Sequence, residues 1–317
     1  MTRVLLTTTS FQDTPGTHHE LLARTGFEIV RERGPLNEAR MLALAGGFDA
    51  LLCGDDAITR AVIAKSRPRL RVISKYGIGL DKIDLAAAAE LKVPVLFTPG
   101  VNHTTVAEHT FALLLAVMRN IVVEANATAR GEWRRITGRE LAGKTLGIVG
   151  MGRIGREVAI RARAFGLNLI GHGNYWEGGF TTALGVRRCM GFEALLREAD
   201  IVTFHTKLTP ATRHLLNAGN IGLLRPGAIV VNCARSEIVD TPALVAALKA
   251  NPGLSYAADV MEPEPPPPDH PLLGLPNVLI TPHIGSRTHE NVQRQATCAI
   301  ENLTLFLAGK PPHAQVS

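Results

Sequence analysis

Short apolar runs alternate with helical patterns along most of the chain. In its first third, Val4–Thr8, Phe27–Val30, Ala50–Cys53, Val72–Lys75 and Val93–Phe97 read as strands. Between them, His18–Arg24 (stopped by Gly26), Glu38–Ala45, Ile58–Ser66 and Leu85–Leu91 read as helices. Thr98-Pro99-Gly100 breaks the alternation. Thr104–Met118 follows, apolar on most faces, and this predicts a helix buried between layers. A polar, Arg-rich stretch, Ala129–Leu141, leads to a second series of strands: Thr145–Val149, Asn168–Gly171, Ile201–Phe204, Ala228–Asn232, Tyr256–Asp259 and Val278–Thr281. These are mostly continuous apolar runs, as expected for strands covered on both faces. The alternation predicts an α/β chain with parallel sheets. The last helix, Glu290–Ala308, is long enough to travel back to the first domain. The expected layout is therefore discontinuous, with one domain at 1–99 plus 285–317 and a second, inserted domain at 100–284. Pro265–Pro268 can form neither helix nor central strand and reads as a loop.

The strongest local motif is LGIVGMGRIGREVA. Gly150, Gly152 and Gly155 form G-x-G-x-x-G after a strand and before the helical pattern Ile154–Phe165, the context in which this spacing binds a dinucleotide. The helix N-terminus offers free N–H groups and a positive dipole end to phosphates. One usual partner is missing. An acid commonly ends the next strand and binds the ribose hydroxyls. Here that strand ends Ile170-Gly171-His172-Gly173-Asn174, and the first acid after Glu157 is Glu177. Nor does an arginine stand there to meet a 2′-phosphate. Lys207 is a candidate cation, with a solvated lysine as the competing reading. The choice between NAD and NADP stays open.

Composition narrows the class. The 317 residues are 46% hydrophobic and 20% charged, which excludes a disordered chain and allows a large core. Cys53, Cys189, Cys233 and Cys298 form no CxxC pair, so neither a disulfide scaffold nor a zinc ribbon is expected, and no metal site is assigned. The net charge of +6 is scattered rather than gathered in runs, which favours a mildly basic enzyme with anionic substrates over a nucleic-acid binder. The N-terminus lacks the long apolar region of a signal peptide. The longest apolar run, Phe111–Met118, is too short to cross a bilayer. A cytoplasmic protein without membrane contact is expected.

Three further positions lie at or beyond strand ends, where open α/β sheets bind ligands. Arg235 follows Ala228–Asn232, Glu264 follows Tyr256–Asp259, and His283 follows Val278–Thr281. Reducing a 2-oxo acid calls for a cation, a hydride donor and a proton donor. Arginine offers a bidentate fork to a carboxylate. A histidine beside a carboxylate can give or take a proton near neutrality. Each residue alone has a bland alternative: a surface ion pair, a solvated acid, a turn cap.

Taken together, SKYGIGLDKIDL, TPGVNHTTVAEHTFALLLAVMRN, ELAGKTLGIVGMGRIGREVA, NCARSEIVD, AADVMEPEP and HPLLGLPNVLITPHIGSRT resemble the D-isomer-specific 2-hydroxyacid dehydrogenases. The likeness is greatest to compact phosphoglycerate-dehydrogenase-like members. It implies two Rossmann-like, doubly wound domains, with a cofactor domain inserted into a substrate domain, a cleft between them and a homodimer. It implies Arg235 as the substrate-orienting arginine, His283 as the catalytic histidine and Glu264 as its paired acid. Cofactor contacts are implied at Gly150, Gly152, Arg153, Ile154 and Gly155, at Asn174, His205, Lys207 and Cys233, and at Asp259 toward the nicotinamide. Lys75, Tyr76 and Gly77 match a loop for the substrate carboxylate, and Asn102 a polar hinge residue. Glu108 and His109 are expected to hold an interface. Ser236 and Glu237 replace the usual glycine after the arginine, Gly173 replaces the ribose acid, and Lys207 replaces a frequent proline.

The implied reaction is reversible hydride transfer between a nicotinamide and a small 2-hydroxy or 2-oxo acid. A 3-phosphoglycerate-like substrate is the first expectation, and glyoxylate or hydroxypyruvate the alternative. Lys75, Arg134 and Arg135 are candidate phosphate cations. Two other classes remain: an NAD-sensing corepressor-like interaction protein and an S-adenosylmethionine-binding methyltransferase.

Overall fold

A computed structural model of the chain describes residues 1–316. The chain divides into two compact units, Met1–Asn102 with the segment from Arg287 onward, and His103–Ser286. The crossings fall a few residues later than the sequence pattern places them, because the long apolar helix begins at His103 and the turn before it stays with the first unit.

The first stretch runs β1 (Arg3–Leu6), α1 (Thr9–Asp13), α2 (His18–Arg24), β2 (Glu28–Arg31), α3 (Glu38–Leu44), β3 (Ala50–Cys53), α4 (Arg60–Ser66), β4 (Val72–Lys75), α5 (Leu85–Glu90) and β5 (Val95–Leu96). The second unit runs α6 (His103–Met118), α7 (Ile121–Ala129), β6 (Thr145–Val149), α8 (Arg153–Ala164), β7 (Asn168–His172), α9 (Gly178–Ala183), β8 (Arg187–Arg188), α10 (Phe192–Glu198), β9 (Ile201–Phe204), β10 (Ile229–Asn232), α11 (Thr241–Ala250), β11 (Ser255–Ala258) and β12 (Val278–Ile280). The last helix, α12 (His289–Leu307), belongs to the first unit.

Local chemistry starts the helices where the strands end. Asn37, Thr59, Asp84, Asp240 and Thr288 each accept a hydrogen bond from a first-turn N–H of the helix that follows. Both sheets are parallel and covered on both faces. Along β1, Leu5 joins one core and Val4 and Leu6 the other. Along β3, Leu51 and Cys53 alternate with Ala50 and Leu52 in the same way. Ala296, Ala299, Ile300 and Leu303 of α12 pack with Val4, Leu6 and Val72, so the C-terminal helix covers one face of the first sheet. In the second unit, α6 contributes Ala107, Phe111, Leu113 and Leu114 to the core shared with Leu146 and Ile148 of β6.

Strand order positions the site. The first sheet is β2-β1-β3-β4-β5 and the second is β12-β11-β10-β9-β6-β7-β8. In the second, the chain leaves β6 toward β7 and β8 and then returns to the other side through β9. The crevice at the carboxyl ends of β6 and β9 is where such sheets bind ligands. Val149, the last residue of β6, lies opposite both His172 and Phe204, so Gly150, Gly173 and His205 emerge side by side.

Candidate active site

The turn after β6 is shaped for a phosphate. Gly150 adopts φ +99°, and a Cβ there would stand 2.7 Å from the carbonyl of His205. Its N–H donates to His172 O at 2.8 Å, and the N–H of His205 donates to Val149 O at 2.7 Å. A Cβ on Gly155 would lie 2.0 Å from Gly150 O, so α8 presses on the turn as only glycine allows. Gly152 caps α8 without a side-chain hydrogen bond, and nothing lies within 4 Å of where its Cβ would be. The first-turn N–H groups of α8 thus lack a side-chain cap, with open space beside them.

The surrounding residues fit a dinucleotide. Nε2 of His205 pairs with Thr203 Oγ1 at 2.8 Å, while its Nδ1 is buried without a partner among the described residues. Burial pulls the imidazole down to about 3, so the ring is neutral. Cys233 hydrogen-bonds Thr110 of α6, but its burial dominates and pushes the thiol up to about 12, leaving it protonated. Ile154 packs against the α6 core, and Arg153, Asn174 and Lys207 are exposed.

Arg235, Glu264 and His283 follow three neighbouring strands at the same edge. Parallel strands sit about 4.8 Å apart, and β10, β11 and β12 are consecutive in the sheet. His283, beyond β12, holds φ +52°, a left-handed conformation that a non-glycine residue keeps only when its surroundings impose it. Its Nδ1 lies 2.8 Å from Oε2 of Glu264, whose Oε1 accepts the N–H of Met261 at 2.9 Å. Beyond β10, Asn232 Nδ2 donates to Arg235 O at 2.9 Å, and Arg235 Nη1 donates to Ala234 O at 2.8 Å.

Asp259 has other partners than the nicotinamide contact expected of it. Only 2% exposed, it accepts hydrogen bonds from Thr281 Oγ1 at 2.6 Å, Ile284 N at 2.9 Å and Gly285 N at 2.6 Å. His109 Nε2 lies 3.2 Å from the same carboxylate and 2.9 Å from Thr281 Oγ1. Burial alone would raise this carboxyl, but the bonds from His109, Thr281 and Ile284 overcome it and hold the group below its usual range. Asp259 thus ties down both sides of His283. Glu108, for its part, pairs with Arg161 of α8 at 3.2 Å, so this acid and His109 both bind inside their own unit. Sequence reasoning missed the His109–Asp259 tether because the partners are far apart in the chain and share no spacing.

In the first unit, Lys75 is not the free cation expected. It is 2% exposed, and its Nζ donates to Gly54 O at 2.5 Å and Asp55 Oδ1 at 2.6 Å. The N–H groups of Tyr76 and Gly77 are likewise engaged, by Cys53 O at 2.9 Å and Thr98 Oγ1 at 3.0 Å. Burial pushes the Tyr76 phenol up to about 12, despite a hydrogen bond with Ser10. Asn102 is buried.

A parallel sheet in this order, with an uncapped glycine turn after its first strand, defines a dinucleotide-binding α/β protein. Residues 111–285 match the family described as D-isomer specific 2-hydroxyacid dehydrogenase, NAD binding domain. A D-3-phosphoglycerate dehydrogenase of Methanocaldococcus jannaschii is 42% identical over 80% of this chain, which spans about half (48%) of that protein's length. A glyoxylate reductase of Aeropyrum pernix is 42% identical over 77% of this chain and 76% of its own. The crystal structure of the TT0316 protein from Thermus thermophilus superposes with a TM-score of 0.89 at 40% identity, covering 99% of this chain and 100% of that one. The chain belongs to the D-isomer specific 2-hydroxyacid dehydrogenases, a family of NAD-dependent oxidoreductases.

Proposed function

We propose that this protein catalyses reversible hydride transfer between NAD and a small 2-hydroxy or 2-oxo acid, with Arg235, Glu264 and His283 as its catalytic residues. The observation that carries this reading is the His283–Glu264 pair, at the strand edge that also carries the glycine turn. The bound nicotinamide supplies or accepts the hydride. Arg235 offers its guanidinium fork to the substrate carboxylate. His283, with Nδ1 directed to Glu264, presents Nε2 to the substrate oxygen and gives it a proton during reduction. Glu264, itself fixed by Met261 N–H, holds the imidazole in that orientation.

Glyoxylate or hydroxypyruvate is favoured over a phosphorylated acid. Of the three candidate cations for a phosphate, Lys75 is buried and bonded to Asp55 and Arg134 pairs with Glu132, which leaves the exposed Arg135 alone. The 3-phosphoglycerate reading is supported instead by the Methanocaldococcus jannaschii relative. A homodimer is supported by exposed Ile121, Val122 and Val123 on α7 and by Trp133, 78% exposed, all apolar surface that a second copy would cover. No single helix among the described residues is long and apolar enough to cross a membrane. The cysteines are free thiols, which supports a reducing, cytoplasmic setting.

Initial rates of NADH oxidation across glyoxylate, hydroxypyruvate, 3-phosphohydroxypyruvate and longer 2-oxo acids test this reading. Turnover led by glyoxylate or hydroxypyruvate is expected. Preference for the phosphorylated acid reverses the substrate assignment, and a panel without turnover removes the enzymatic one.

A further inference from the structure

The end of β7 lacks the acid that usually binds the ribose hydroxyls, and the residues that follow it hold an arginine, Arg156, with Glu177 as its ion-pair partner. Gly173 begins this segment directly beside the glycine turn, since a Cβ on it would be 3.4 Å from Gly150 Cα. Asn174 follows, exposed and uncharged. What stands over the strand end comes from the opening turns of α8. The Arg156 guanidinium lies 5.1 Å from the Tyr175 ring centre and 5.3 Å from that of Phe180. Its Nη2 donates to Tyr175 Oη at 2.5 Å, and its Nη1 lies 2.6 Å from Glu177 Oε2. Its Nε is buried with no partner among the described residues.

We propose that the dinucleotide site of this chain accepts NADPH, with Arg156 as the residue that reads the 2′-phosphate. The inference rests on the dinucleotide reading of the glycine turn and goes beyond it in naming the second cofactor and its reader. An arginine near this strand end is the general solution for a 2′-phosphate. A guanidinium stacked on aromatic rings is pre-organised and loses little freedom on binding an anion. Glu177 is the carboxylate that faces it, and its ion pair with Arg156 blunts the repulsion it would exert on a phosphate. Arg153, at the first residue of α8, and Lys207, past the end of β9, are exposed and form no ion pair among the described residues. The field at this corner is therefore positive, with no acid in the position that would reject the phosphate.

Isothermal titration of the full chain with NADH and with NADPH, at one ionic strength, tests the proposal without requiring turnover. The Kd for NADPH is expected to be no more than about threefold above that for NADH. A larger penalty overturns the proposal. Arg156→Gln should weaken NADPH by about tenfold and leave NADH within about twofold. Equal losses for both would make Arg156 a packing residue and overturn it. Glu177→Gln guards against collapse of the Tyr175 loop, since it keeps Arg156 and its stack while removing the competing charge. It should tighten NADPH and steepen its salt dependence, and an unchanged or weaker NADPH affinity counts against the assignment. Binding of NADH alone removes only this inference, whereas binding of neither dinucleotide removes the reading of the glycine turn as well.

Discussion

Nδ1 of His283 stands 2.8 Å from Oε2 of Glu264, and the other oxygen of that carboxylate is held at 2.9 Å by the N–H of Met261. The imidazole is thereby fixed from its Nδ1 side. Replacing His283 with Ala should lower kcat for 2-oxo acid reduction by about 10²–10⁴-fold, the range for loss of a general acid. The Kd for NADH should stay within about twofold, because no part of the glycine turn is touched. Steady-state kinetics with titration of NADH checks both, and unchanged turnover would remove His283 from the chemistry.

Glu264→Gln removes the charge and one of the two acceptor oxygens while keeping the size of the side chain. With its single oxygen on the Met261 N–H, the amide meets Nδ1 through its NH2, so the loop should keep its shape and its melting temperature. The negative charge that stabilises an imidazolium is lost, and kcat should fall by about tenfold or more, with smaller change in KM. Equal activity of variant and parent would assign Glu264 to the loop alone.

Asp259 links the site to acid stability. Its carboxyl lies below the usual range in the folded chain, so the folded state binds fewer protons than the unfolded state wherever the two differ. The stabilisation is complete above the ordinary carboxylate pKa of about 4 and fades as pH falls through the lowered folded value. Asp259→Asn should flatten the acid limb of the stability curve and speed amide exchange at Ile284 and Gly285, which donate to this carboxylate. Denaturation from neutral pH downward, with hydrogen exchange at those amides, reads both effects. Unaltered exchange would mean that the His283 turn holds its shape without Asp259.

Much of the fold was legible in the chain because buried parallel strands are short, apolar and bounded. Ala50–Cys53, Val72–Lys75, Thr145–Val149 and Ile201–Phe204 occupy the residues that the pattern predicts. The strand Arg187–Arg188 was invisible because it is an exposed, two-residue edge. Helix α7 was hidden because Asn120, at φ +54°, turns the chain just after α6, and the following Ile121, Val122 and Val123 stay exposed rather than continuing a buried stripe. At the site, the glycine spacing and the strand-end positions of Arg235, Glu264 and His283 were readable. The internal pairing of Lys75 was not, since a lysine at a strand end looks the same in sequence whether it faces Asp55 or solvent. The His109–Asp259 tether depends on which strand lies beside α6, a fact of topology rather than of spacing.

Gly155 and Gly152 carry the last prediction, because alanine should act on them through different states. A Cβ at Gly155 would meet Gly150 O at 2.0 Å, backbone against a helix that cannot yield. Gly155→Ala should therefore destabilise the second unit by about 3 kcal/mol, the upper end of overpacking costs, with NADH binding lost as a consequence. A Cβ at Gly152 meets nothing within 4 Å, and its φ of −73° suits any residue. Gly152→Ala should leave thermal stability unchanged within about 0.5 kcal/mol. The methyl would instead occupy the space where a pyrophosphate approaches the uncapped N–H groups of α8, and the Kd for NADH should rise by about tenfold or more. Calorimetric melting and NADH titration of the two variants give the contrast directly. Stable Gly152→Ala protein with undiminished NADH affinity would mean that the pyrophosphate does not sit against this turn.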